Sequence, residues 1–215
     1  MGRIARIALP GLALLVALIA LIAALNIGGG ANPPLLGDPG PGVRFGLPIA
    51  KLLVDITAAT LIGALALALW AFDSAEAAYR KAIDLAAGSA FALTLSAVAV
   101  GILTFVSVSN TPFSADPKFG QQLWFFFTSI ALGQSWMWTI GLAAIVTVLC
   151  IAVTNQTALF FVGLVAVGSL VPMALQGHAA GISGHAAAIT SLGLHLVFVS
   201  VWFGGVVTLV LQIGR

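Results

Sequence analysis

The residues best suited to chemistry in this sequence are its histidines. The chain holds three, and all of them lie between positions 178 and 195: His178, His185 and His195. Imidazole is the commonest metal ligand among protein side chains, and it also serves as an axial ligand of haem iron. Their clustering in a sequence so poor in polar residues indicates a shared role.

Two further side chains could join the histidines. Asp55 lies in an apolar run, where a carboxylate costs about 3 kcal/mol at mid-membrane unless it has a partner. Met173 lies about one turn before His178 and directly after Pro172, which should kink its helix. Imidazole serves Cu(I) and Cu(II), whereas a thioether selects Cu(I). The sequence therefore predicts a copper site formed by His178, His185, His195, Asp55 and Met173.

Each of these residues also has a plainer interpretation. A loop histidine is often merely solvated, and methionine commonly fills gaps in a core. Asp55 could simply pair with Lys51, one turn earlier on the same helix face. The histidines could instead contact a partner subunit or bind haem, although haem needs imidazoles from facing helices and these belong to one loop and one helix.

The sequence contains none of the motifs that would indicate an enzyme. It has no nucleophile elbow with a Ser-His-Asp set, no His-Glu-x-x-His and no phosphate-binding loop. We therefore expect a binding or transport protein without catalytic activity.

Composition places the candidate ligands in a membrane protein. Of 215 residues, 61% are hydrophobic and 7% are charged, and the mean hydropathy is +1.17. A soluble domain carries roughly 25% charged residues because its surface faces water. Much of this surface must therefore face the lipid bilayer. The net charge of +2 reflects the Lys/Arg bias of cytoplasmic loops rather than a nucleic-acid partner.

Six apolar runs are long enough to cross a bilayer, which needs ~20 residues per helix. Inside the hydrocarbon, backbone amides must be satisfied within the segment, so the runs should be helices. The predicted fold class is an all-α polytopic transmembrane helical bundle, with residues 1–215 as a single domain. The six predicted helices are 7–26, 48–71, 84–108, 134–153, 157–176 and 187–212.

Basic residues predict the orientation of this bundle. Arg3 and Arg6 precede the first helix, Arg80 and Lys81 lie between the second and third, and Arg215 follows the last. With the N-terminus inside, all five are cytoplasmic, so the N-terminus and C-terminus are both predicted to be cytoplasmic. The first helix has the length of a span rather than of a signal peptide, and we expect it to remain uncleaved.

The outer side then carries three loops. Residues 27–47 are rich in Gly and Pro, residues 110–133 contain an aromatic cluster suited to an interfacial helix or re-entrant segment, and residues 177–186 hold two histidines. If the second helix begins at Pro48, Asp55 lies ~10 Å along it, and His195 lies ~13 Å along the last helix. We expect these two groups to meet inside the bundle, below the outer histidines.

The residues around the histidines form a recognisable pattern. Gly-His-Ala at 177–179 recurs at 184–186, and Leu-His at 194–195 is followed by Val-Trp-Phe-Gly-Gly at 201–205. This pattern resembles that of the copper-resistance protein D (CopD) family. The segments at 51–55 and 133–139 are similar too. The spacing is most similar to that of the domain that precedes a cytochrome c oxidase assembly domain of the CtaG type.

This resemblance implies copper uptake or handling at the bacterial plasma membrane, with His178, His185 and His195 at matching positions. It implies an oxidase assembly domain or a periplasmic copper chaperone as partner. In the family, further helices follow the Trp-x-Gly-Gly helix, so the chain is expected to be a truncated form. The alternative functions are an assembly scaffold without ion transport and a haem-binding redox subunit.

Overall fold

The computed structural model describes residues 3–34, 37–175 and 185–212. All regular structure in these ranges is helical. The helices are α1 (Arg3–Ile27), α2 (Pro41–Trp70), α3 (Ala77–Ser109), α4 (Pro117–Ser129), α5 (Ala131–Ala152), α6 (Gln156–Gly168), α7 (Val171–Leu175) and α8 (His185–Gln212).

Six helical segments are long and apolar enough to span a membrane, so the predicted all-α polytopic bundle is confirmed. Helices α6 and α7 together form the fifth of them. An even number of crossings puts the start of α1 and the end of α8 on one side, which the Lys/Arg distribution predicts to be cytoplasmic. The spans are Pro10–Ile27, Pro41–Trp70, Ala77–Ser109, Ala131–Ala152, Gln156–Leu175 and Ile189–Gln212.

The start of α2 differs from its prediction. The helix begins at Pro41, where a missing backbone N–H costs nothing because the first turn has no partner for it. Pro48, the predicted first residue, lies inside the helix. Asp55 therefore lies ~21 Å along α2 at 1.5 Å per residue, and the predicted ~10 Å is wrong.

Helix α2 forms the centre of the bundle. It packs against α3, α6 and α8, and α3 packs in turn against α5. Many of the buried residues are alanines, such as Ala64, Ala82 and Ala86, each 0% exposed. Small side chains let membrane helices approach closely, which matters where lipid removes the hydrophobic drive between helices. Helix α1 contrasts with this centre, because none of the described side chains in 10–27 is buried.

The aromatic cluster predicted in the second outer loop forms the helix α4. Asp116 caps its first turn by accepting a backbone N–H at 2.8 Å. Phe126 is buried against Phe105 of α3, with ring centroids 5.6 Å apart. Trp124 and Phe125, in contrast, are 68% and 59% exposed. With 13 residues α4 is too short to span a bilayer, and its two faces fit an interfacial helix.

Arg44 attaches the first outer loop to the start of α2. Its Nη1 donates a hydrogen bond to the carbonyl of Ala31 at 2.7 Å, and its Nε lies 3.5 Å from Oδ1 of Asp38. The same Asp38 oxygen accepts the Gly40 N–H at 2.9 Å. Residues 28–34 and 37–40 are irregular, as predicted, whereas residues 41–47 are helical and belong to α2. The bonds of Arg44 and Asp38 join the irregular part to this helix.

The connection at 153–155 is short and holds α5 and α6 as neighbours. Oδ1 of Asn155 caps α6 by accepting the backbone N–H groups of Thr157 and Ala158 at 2.9 and 3.2 Å. The hydroxyl of buried Tyr79 donates to the carbonyl of Thr154 at 3.0 Å. The fourth and fifth spans are in contact, and Tyr79 joins α3 to the same turn.

Candidate metal site

A pocket of about 230 Å³ lies between α2, α5, α7 and α8. It contains two of the five predicted copper ligands, Asp55 from α2 and Met173 from α7. The remaining lining residues are Lys51, Val54, Trp136, Leu192 and Leu196.

Helix α2 supplies the charged side of the pocket. Lys51 and Asp55 are one turn apart on one face of the helix, and both side chains are exposed. Val54 beside them is 1% exposed and anchors this part of α2 in the core. Within the described residues, no hydrogen bond and no ion pair holds the Asp55 carboxylate. Its charged neighbour is Lys51, so this carboxylate is open to a ligand.

Met173 reaches the pocket because the fifth span is interrupted. Pro172 has no N–H to donate to the carbonyl of Gly168, and α6 ends at Gly168. Ser169 stabilises the break, since its hydroxyl donates to the carbonyl of Ala166 at 2.6 Å. The short helix α7 then carries Met173, half-buried, to the edge of the core.

Trp136, which was not among the predicted ligands, lines the pocket from α5. It is 4% exposed and belongs to the central core. Gly101 of α3 lies beside it, and a Cβ at Gly101 would be in ordinary van der Waals contact with the Trp136 Cβ at 3.5 Å. The signal that could have identified it is its place in the segment 133–139, which carries part of the family resemblance.

His195 does not line this pocket. Leu192 and Leu196 of α8 do, and His195 lies between them along the helix, so it is at the level of the pocket. Its side chain is exposed. The expected meeting of His195 with Asp55 inside the bundle stays a prediction, since His195 is exposed and is not among the residues that line the pocket with Asp55.

The packing of α8 explains why His195 faces outward. Gly204 lies against the backbone of Ala59 and Gly63 on α2, so this face of α8 is turned toward the bundle centre. His195 lies nine residues earlier, which at 3.6 residues per turn is about 180° around the helix. The side of α8 that carries His195 is thus opposite the side that packs on α2.

The side chains of the two outer histidines lie outside the described part of the chain. His178 lies outside the described residues, and of His185 the structure describes only its backbone position, as the first residue of α8. Among the side chains that are described, no three His, Cys, Asp or Glu residues lie close enough to hold a metal ion.

The described pocket can nevertheless attract a soft cation. Met173 offers a thioether, which prefers Cu(I), and Asp55 offers a negative charge. The indole of Trp136 adds a π-system, whose face attracts cations. This donor set is poor for Mg²⁺ or Ca²⁺, which need several oxygen ligands.

Comparison with known proteins gives one family. The model of the copper resistance protein D-like, N-terminal domain matches residues 42–190. The match includes Lys51, Asp55, Trp136 and Met173, and it ends before His195. No curated protein matches the sequence, and no solved structure does.

Proposed function

Since the chain belongs to the family of the copper resistance protein D-like N-terminal domain, we propose that it binds copper and takes part in copper uptake or handling at the bacterial plasma membrane. It is a multi-pass membrane protein with six apolar helices. The observation that carries the proposal is the convergence of Asp55 and Met173, from the second and fifth spans, on one pocket.

The pocket suits the reduced ion. Met173 supplies the soft ligand that favours Cu(I) over hard cations, and Asp55 offsets the positive charge in a low-dielectric environment. The other walls, formed by apolar residues such as Val54, Leu192 and Leu196, add no oxygen ligands that would favour a hard cation over Cu(I).

The outer histidines would bind copper before it reaches this pocket, and His195 would bind it afterwards. His178 and His185 lie on the predicted outer side, where they would take copper from the periplasm or from a periplasmic copper chaperone. His195 is at the level of the pocket on an exposed face. From there it would pass the ion to a partner, and an oxidase assembly domain is the partner that the family resemblance suggests.

Copper titration of the purified protein tests this function. Cu(I) added against a chromophoric chelator should load the wild-type chain at one copper per protein or more. Asp55→Asn should weaken binding, because the variant keeps the shape of the side chain and removes its charge. Absence of binding by the wild-type chain would reject the copper function.

A haem-binding redox subunit is the alternative that the same sample tests. Haem absorbance in the purified protein that disappears in His195→Ala would establish that alternative and reject the copper proposal. Absence of both haem and copper would leave a scaffold function, in which the exposed face of α8 contacts a partner subunit.

A further inference from the structure

The side chain of Lys51 lines the same pocket as the open carboxylate of Asp55. Both residues lie on one face of α2, one turn apart, and both are exposed. The ammonium group of Lys51 therefore adds a positive charge to the pocket lining. A cation that enters must therefore share Asp55 with Lys51.

Lys51 and Asp55 are the charged residues among those that line the pocket. Helices α5, α7 and α8 contribute only Trp136, Met173, Leu192 and Leu196 to it. Arg44, the next basic residue toward the start of α2, is held by Ala31 and Asp38. Lys51 is thus the charged group that acts on Asp55.

The arrangement leaves Lys51 free to move. The ion pair within 4 Å in the described part of the chain is Arg44–Asp38, so Lys51 and Asp55 are neighbours without a closed contact. A lysine carries its charge on a flexible four-carbon stem and can move its ammonium toward an interface while the stem stays on apolar surface. An unpaired carboxylate in a membrane span is costly, which favours the approach of Lys51 whenever the pocket is empty.

We propose that Lys51 is a tethered counter-ion, which neutralises Asp55 in the empty pocket and is displaced when a metal cation binds. This inference rests on the proposed copper function and adds a means of release. Copper must break the attraction between Lys51 and Asp55 in order to bind, so its affinity is lowered. When copper leaves, Lys51 returns to the carboxylate and stabilises the empty state, as a carrier requires.

The test compares Cu(I) affinities of the full chain in nanodiscs, measured by chelator competition. Lys51→Gln should raise the affinity about tenfold, which is ~1.4 kcal/mol of binding free energy. Lys51→Arg, which keeps the charge, should bind within about twofold of the wild type. Lys118→Gln on α4 removes the same charge outside the pocket and should have no effect.

A second pair of variants separates the counter-ion role from simple repulsion of the metal. In the Asp55→Asn background there is no carboxylate to neutralise, so adding Lys51→Gln should change the affinity by less than about twofold. A tenfold gain that persists in this background would overturn the counter-ion proposal, and so would an unchanged affinity in Lys51→Gln alone. In both cases the wild type still binds copper, so the proposed function survives. If the wild type and all variants fail to bind Cu(I), both proposals fall.

Discussion

Gly204 of α8 packs directly against the backbone carbonyl of Ala59 on α2. The approach is so close that a side chain at Gly204 would overlap this carbonyl. Thr208, one turn later, is buried and donates its hydroxyl to the carbonyl of Gly204 at 2.7 Å. The contact between Gly204 and Ala59 joins the last span to the central helix. It determines which face of α8 is available to ligands or partners.

We predict that Gly204→Ala destabilises the bundle by about 2 kcal/mol, the usual cost of adding volume to a packed core. The neighbouring Gly205 is a matched control, because a Cβ there meets no atom within 4 Å. Gly205→Ala should leave stability unchanged or raise it by up to about 1 kcal/mol through helix propensity. Thermal unfolding in one detergent, followed by circular dichroism, measures both. Equal effects of the two substitutions would contradict the close contact.

Met173→Leu should weaken Cu(I) binding by about tenfold or more, since it keeps the volume of the side chain and removes the thioether that selects Cu(I). Met137 provides the control, because it lies on α5, is 39% exposed and does not line the pocket. Met137→Leu should bind Cu(I) as the wild type does. If the two variants behave alike in chelator competition, Met173 is not a ligand.

His195→Ala should leave the stability of the purified chain within about 0.5 kcal/mol of the wild type, because the side chain is exposed. In cells, however, copper accumulation should fall if His195 passes the ion to a partner. Leu194, also exposed on α8 at 54%, supplies the control Leu194→Ala. Unchanged accumulation in His195→Ala would reject a role in uptake. A loss of pocket affinity like that of Met173→Leu would show that His195 reaches the pocket after all.

Tyr79→Phe should cost about 1 kcal/mol of stability, because it removes the hydrogen bond of a buried tyrosine and leaves the carbonyl of Thr154 with one donor fewer. Trp70→Phe alters an aromatic residue at the inner end of α2 that is 75% exposed, and it should have little effect. Chemical unfolding of the two variants under the same conditions checks this difference. Equal midpoints would mean that the Tyr79 bond does not contribute.

The positions of the spans could be predicted because bilayer thickness requires about 20 apolar residues in each helix. The start of α2 could not be predicted, because both Pro41 and Pro48 are acceptable first residues of a helix. The helix also extends beyond the length that the bilayer requires. Helix α4 followed from its aromatic residues, which prefer the membrane interface. The packing of α4 against Phe105 could not be predicted, because it depends on contacts between segments that are separate in sequence.

The residue types of the candidate site and their family could be recognised from the sequence, since Asp55, Met173 and the three histidines are rare polar or soft groups in an apolar chain. Which of these residues share a pocket depends on how the helices pack. Helix α8 is apolar on nearly every side, so its sequence carries no strong signal for its rotation. The close packing of Gly204 on α2 sets that rotation, turning Leu192 and Leu196 toward Asp55 and Met173 and leaving His195 on the outside.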